Sequence, residues 1–164
     1  AGNETTRGLL SSGMHELIRR PELYERLEQH PQELPLAVEE MLRWTCPLHY
    51  FRRTATRDTE IRGQPIREGE RVVMLYSSAN FDDEVFSEPL HFDIRRDPNP
   101  HLAFGHGIHL CLGANLARLE ARIFFEEFFR HFRGIEATGE PVFIRSNMVH
   151  GFKQMPVRLL PAGG

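Results

Sequence analysis

Apolar residues recur three and four positions apart through Leu9, Leu10, Met14, Leu17 and Ile18, which predicts a helix from the start of the chain. Pro21 suits the first turn of a second helix, where its missing N–H costs nothing. Leu23 and Leu27 form the stripe of that helix, which ends near His30 and Pro31. Pro35 opens a third helix that runs through Trp44 and stops at Pro47. The period then shortens. Residues 50–56, 60–62 and 71–76 read as strands, with turns at Gly63-Gln64 and Glu68-Gly69 between them. A short helix is expected over 80–86, and a proline-bearing meander over 87–102. The last helix starts at Cys111 and carries two apolar stripes. One is Leu112, Leu116, Leu119 and Ile123, the other Ala114, Ala117, Ala121, Phe124 and Phe128, so much of its circumference calls for burial. Residues 142–160 read as a strand pair broken near Gly151.

These elements imply a fold that is mainly α with small β-sheets, an α+β arrangement, in one domain covering residues 1–164. Composition changes this picture little. A hydrophobic content of 40% and a charged content of 26% are ordinary for a soluble globular chain. A formal charge of −3 gives no case for nucleic-acid binding. No apolar run approaches the ~20 residues of a membrane span. Cys46 and Cys111 are the only cysteines, too few for a disulfide framework, so a reducing cytoplasm is expected.

Cys111 is where chemistry is expected. It follows a loop containing Gly105 and Gly107, residues that tolerate positive φ and let a flat ligand lie close to the backbone. A helix N-terminus beside the sulfur favours thiolate over thiol, and thiolate is the form that binds a metal. Three plainer readings compete. His101, His106, His109 and Cys111 could hold zinc, although no second ligand cluster at fixed spacing accompanies them. Cys111 could be a buried, inert cysteine, and the glycines could be simple turn formers.

Residues 104–113 resemble the haem-ligand loop of the cytochrome P450 family, Phe-Gly-x-Gly-x-His/Arg-x-Cys-x-Gly. Phe104, Gly105, Gly107, His109, Cys111 and Gly113 fill every constrained position. The resemblance implies haem b with Cys111 as the axial thiolate, which pushes electron density toward bound oxygen. Phe104, Gly105 and Gly113 would line that site. Arg53 and His109 match donors to the haem propionates, carboxylates that need cationic partners when they leave water. On a strand, alternation sends only one of Arg52 and Arg53 inward.

Glu40 and Arg43 share a helical face three residues apart. Helical spacing alone also allows a surface pair, or Glu39 with Arg43. The family's Glu-x-x-Arg signature favours a buried network of Glu40, Arg43 and a meander arginine, matched by Arg96 with Arg95 as its rival. Glu4 and Thr5 match the acid–alcohol pair of the family's oxygen-activating helix, with Gly2 leaving room above the iron. Read without the resemblance, Asn3, Glu4 and Thr5 are good helix-capping residues. Leu48, His49, Tyr50, Met148 and Val149 match substrate-lining segments and are largely apolar, as a lipophilic substrate requires. Similarity around residues 38–44 and 78–82 points toward bacterial members acting on sterols or branched lipids.

The implied activity is monooxygenation with O2 as co-substrate. Electrons would come from NAD(P)H through a ferredoxin reductase and a ferredoxin. Members of the family are more than twice as long, and the chain begins with Ala1 in a helical pattern. It therefore reads as the carboxy-terminal part of such an enzyme, a single partial domain starting in the central helix. Such a piece is expected to be inactive alone. A non-catalytic haem-binding fragment and a zinc-binding module are the alternatives.

Overall fold

The structure is a computed structural model that describes residues 2–163. Ala1, the first residue of the segment likened to the central helix, lies outside them. Three helices open the chain, α1 (Glu4–Arg19), α2 (Pro21–Gln29) and α3 (Leu34–Thr45), with a 3-10 turn at Pro31–Glu33. Four short strands follow, β1 (Tyr50–Thr54), β2 (Thr59–Ile61), β3 (Gln64–Ile66) and β4 (Arg71–Leu75). Next come the one-turn helix α4 (Tyr76–Ala79), the long helix α5 (Ala114–His131) and four more strands. These are β5 (Phe132–Ala137), β6 (Val142–Phe143), β7 (Phe152–Gln154) and β8 (Val157–Pro161). Strands pair antiparallel in twos: β1 with β4, β2 with β3, β5 with β8, and β6 with β7.

The core lies where α1, α3 and α5 meet. Leu9, Met14 and Leu17 of α1 pack with Ala37, Val38 and Met41 of α3 and with Ala121 and Phe125 of α5. Gly13 permits that approach: a Cβ there would sit 2.7 Å from the Met41 sulfur. The second helix buries Tyr24 as well as Leu27, and the Tyr24 hydroxyl donates to the Phe132 carbonyl at 2.7 Å.

Several expectations are corrected. The short helix lies over Tyr76–Ala79 rather than 80–86, because Tyr76 turns inward at the end of β4 and is buried. Residues 142–160 are not one hairpin. β8 pairs with β5, which directly follows the Phe-rich end of α5, while β6 pairs with β7. Helix α5 begins at Ala114, so Cys111 lies in the turn ahead of it.

Candidate functional site

The cysteine loop is closed by its own backbone. Gly105 and Gly107 adopt φ of 72° and 68°, left-handed values that favour glycine. Gly105 also lies against Tyr76, whose hydroxyl oxygen would be 3.4 Å from an added Cβ. A 3-10 turn at Gly107–His109 follows. The Cys111 N–H then donates to the Phe104 carbonyl at 2.9 Å, and the Ala114 N–H returns to the Cys111 carbonyl at 3.2 Å. Cys111 is exposed, so it is not an inert core thiol. Cys46 is that thiol: it is buried, and burial pushes its pKa up to about 12. Around Cys111 the surface is apolar, with Ile108 and Leu112 essentially fully exposed at 98% and 103%.

Behind the loop lies a buried charged network. Glu40 and Arg43 are both 0% exposed and pair bidentately, at 2.7 Å for each bond. Arg43 spends its remaining donors on the carbonyls of Asn80, Pro89 and His91, so all five guanidinium N–H groups are used. Arg96 reaches Glu40 at 3.2 Å and binds the carbonyls of Ser87, Glu88 and His91. Its rival Arg95 is exposed. The Asp93 N–H and the Asn99 amide complete the acceptor capacity of Glu40, at 2.9 and 3.1 Å. Asn80 extends the network, giving its amide to the Arg43 carbonyl and taking the Leu102 N–H at 2.7 Å. Meander 87–102 has almost no regular structure of its own. Its backbone carbonyls are held by two arginines instead.

Sequence reasoning missed the neighbouring acid. Glu39 does not pair with Arg43. It takes two bonds from Arg118 of α5, at 2.6 and 2.8 Å, and meets His101 Nε2 at 3.0 Å. Burial by itself would raise the Glu39 carboxyl. Hydrogen bonds from Arg118 and His101, together with their charges, outweigh burial and hold the group at about 2. Only a search for acids beside the Glu40 motif would have raised the question, since Arg118 is 79 residues away.

The family pattern of cytochrome P450 matches residues 32–159, which contain both the loop and the network. The chain is 45% identical over 162 residues to cytochrome P450-terp of a Pseudomonas species, covering 99% of this chain and 38% of that protein. It is 47% identical over 159 residues to the methyl-branched lipid omega-hydroxylase of Mycobacterium tuberculosis, covering 96% and 37%. The chain belongs to the cytochrome P450 family. A crystal structure of a versatile cytochrome P450 enzyme from Bacillus subtilis superposes with a TM-score of 0.92 at 47% identity, over 96% of this chain and 43% of that one. The mixture of helices and small sheets is that of the carboxy-terminal part of the P450 fold. The chain spans about two fifths of the length of the curated P450 relatives it matches.

The donor set around Cys111 fits the P450 prosthetic group, haem. An exposed thiol sits among outward apolar side chains, with Gly113 beside the sulfur. Arg53 is half-buried on β1 while Arg52 is exposed. Among the described residues Arg53 has no carboxylate partner and donates only to the Arg52 carbonyl, at 3.0 Å. A half-buried guanidinium without an acid suits an anionic ligand. His109 is exposed at the end of the 3-10 turn.

Zinc is not supported by the geometry. No three His, Cys, Asp or Glu side chains among the described residues converge as metal ligands, and His101 is engaged with Glu39. Two segments matched to the substrate side do meet: Leu48 bridges Val149, and the His49 N–H donates to the Met148 carbonyl at 2.9 Å. The His49 ring stacks on His150 at 5.4 Å, and burial together with the His150 charge lowers its pKa. Tyr50 starts β1 beside them. Glu4 is exposed in the first turn of α1 and pairs with Arg7, while Thr5 is half-buried. Asn3 makes no side-chain capping bond. An apolar groove of about 560 Å³ lies between α1, α5 and β8, lined by Leu10, Met14, Phe124, Phe128 and Leu159. None of the cysteine-loop residues lines it. No helix among the described residues is long and apolar enough to cross a membrane.

Proposed function

We propose that this chain carries the haem-binding centre of a P450 monooxygenase acting on a lipophilic substrate. The observation that carries the reading is the exposed Cys111 sulfur in a glycine loop closed onto Phe104. Cys111 would hold haem b through its sulfur, with Phe104, Gly105 and Gly113 lining the site and the Phe104 carbonyl anchoring the loop backbone. Arg53 and His109 donate to the propionates. The Glu40, Arg43 and Arg96 network holds the meander that leads into the loop. Haem bound there supplies O2 activation, with one oxygen atom entering the substrate and the other leaving as water. With haem bound, Glu4 and Thr5 would hold and pass a proton, Thr5 through its hydroxyl and Glu4 through its carboxylate once released from Arg7. The apolar residues Leu48, Tyr50, Met148 and Val149, with His49, shape the substrate side. The substrate class is a sterol or branched lipid, the latter in line with the name of the methyl-branched lipid omega-hydroxylase. Ferredoxin and its NAD(P)H-dependent reductase supply the electrons.

The test is Cys111→Ser in haem-loaded protein. The reduced, carbon monoxide-treated wild type is expected to show the red-shifted Soret band of thiolate ligation, and the variant to lose it. A variant that keeps this band would place the ligand elsewhere. The exposed apolar face of α5 favours a narrower second reading, in which these 164 residues alone bind haem but hydroxylate nothing. Product formed at the rate of a full-length P450 would overturn it.

A further inference from the structure

A cation faces the ring that anchors the cysteine loop. The Arg118 guanidinium carbon lies 4.6 Å from the Phe104 ring centroid. Its plane is set by the two-pronged bond to Glu39, at 2.6 and 2.8 Å. His101 braces the same carboxylate through Nε2 at 3.0 Å, and the Ala103 N–H donates to its Nδ1 at 3.3 Å. An Nδ1 that accepts leaves the ring proton on Nε2, so even a neutral imidazole donates to Glu39. The His101 ring is also 6.1 Å from Phe104. Helix α3, the end of the meander and α5 therefore converge on one aromatic side chain. The carbonyl of that same residue takes the Cys111 N–H at 2.9 Å.

We propose that Arg118 is a positioning residue for the cysteine loop. Clamped by Glu39 and His101, its guanidinium fixes the plane of Phe104, and the Phe104 carbonyl fixes the backbone from which the Cys111 sulfur projects. Arginine suits the task because its planar fork binds a carboxylate with its edge while its face stacks on a ring. An ammonium would keep the charge and lose the plane. The consequence for haem rests on Cys111 being the ligand, but the clamp consists of protein atoms alone. Partners that orient a ligand without touching the metal commonly govern how well the metal is held.

Amide hydrogen exchange tests the clamp directly. In Arg118→Gln and Arg118→Lys, the Cys111 amide is expected to exchange roughly five- to tenfold faster, with amides of the β2–β3 hairpin unchanged. Glu39→Gln should reproduce a smaller acceleration. In haem-loaded protein both Arg118 variants should shift part of the carbon monoxide Soret band from the thiolate-type to the short-wavelength position. Unchanged Cys111 exchange in both variants would overturn the proposal. Full rescue by lysine would show that charge alone suffices and the plane does nothing. Loss of helical circular dichroism in both would make Arg118 a general support of the fold, which also overturns a positioning role. A wild type without a thiolate-type band would count against the haem reading, while the exchange result would still decide the clamp.

Discussion

Helices α3 and α5 both look apolar in sequence, and the fold treats them in opposite ways. In α3 the buried residues run nearly all round: Leu34, Ala37, Val38, Glu40, Met41, Leu42, Arg43 and Thr45. In α5, half as long again, only Ala114, Ala121 and Phe125 are buried. Leu116, Leu119, Ile123 and Phe124 stand exposed on it. The charges are distributed in the reverse sense. Helix α3 buries an ion pair completely, whereas the Arg122–Glu126 and Arg130–Glu127 pairs of α5 lie in solvent and add little. An apolar stripe shows that a surface wants cover. Whether the same chain supplies that cover is a separate matter, and here the described residues cover α3 and leave much of α5 open.

Breaking the buried pair should produce the largest effect. Glu40→Ala removes the acceptor shared by Arg43, Arg96, Asn99 and the Asp93 N–H, and leaves two guanidinium groups buried without a counter-charge. A cost of about 3–5 kcal/mol is expected, enough to unfold a marginal chain. Circular dichroism and solubility of the variant would measure it. A soluble, cooperatively melting Glu40→Ala would show that the network contributes far less than its burial implies.

A smaller effect separates the two adjacent acids of α3. The folded carboxyl of Glu39, at about 2, lies below its ordinary value of 4.5. A depressed carboxylate contributes stability that is full above the ordinary value and fades as pH falls toward the folded one. The arithmetic gives at most ~3 kcal/mol, and solvent reaching Arg118 reduces this to about 1–2 kcal/mol. Between pH 4.5 and about 2, Glu39→Gln should therefore flatten the loss of melting temperature seen in the wild type. An unchanged acid profile would mean that other carboxylates govern that range.

The same contrast explains what the sequence could disclose. The Glu40–Arg43 pair was legible through the Glu-x-x-Arg signature, since i,i+3 spacing alone also allowed a surface pair or Glu39 with Arg43, whereas Pro21 and Pro35 marked helix starts locally by removing a donor. Arg96 was indicated by resemblance, since nothing local separates it from Arg95. Glu39 defeated local reasoning because Arg43, four residues on, is the obvious partner while Arg118 is brought near only by packing. Strand β5 was hidden for a related reason. The aromatic residues of α5 run on through Phe129, the helix ends at His131, and the next residues pair with β8. Tyr76 looked like the end of a strand and instead turns inward as the start of α4. In the cysteine loop, Gly105 and Gly107 were readable as conformational necessities. The offset of Cys111 from the helix was not, because Leu112 continues the helical stripe although it lies in the turn, fully exposed.

The smallest effect should come from the exposed face of α5. Leu116 and Ile123 are 57% and 47% exposed, so replacing both with Gln removes little buried area. Glutamine is also a good helix former, which keeps backbone propensity nearly unchanged. The double variant is therefore expected to melt within ~0.5 kcal/mol of the wild type per site. Self-association should respond more strongly, because a continuous apolar patch drives contact between copies while its loss costs the fold almost nothing. Sedimentation at increasing concentration should show the wild type forming larger species and the variant remaining smaller. A large loss of stability would mean that the face is already buried in the folded chain, and the contrast with α3 would disappear.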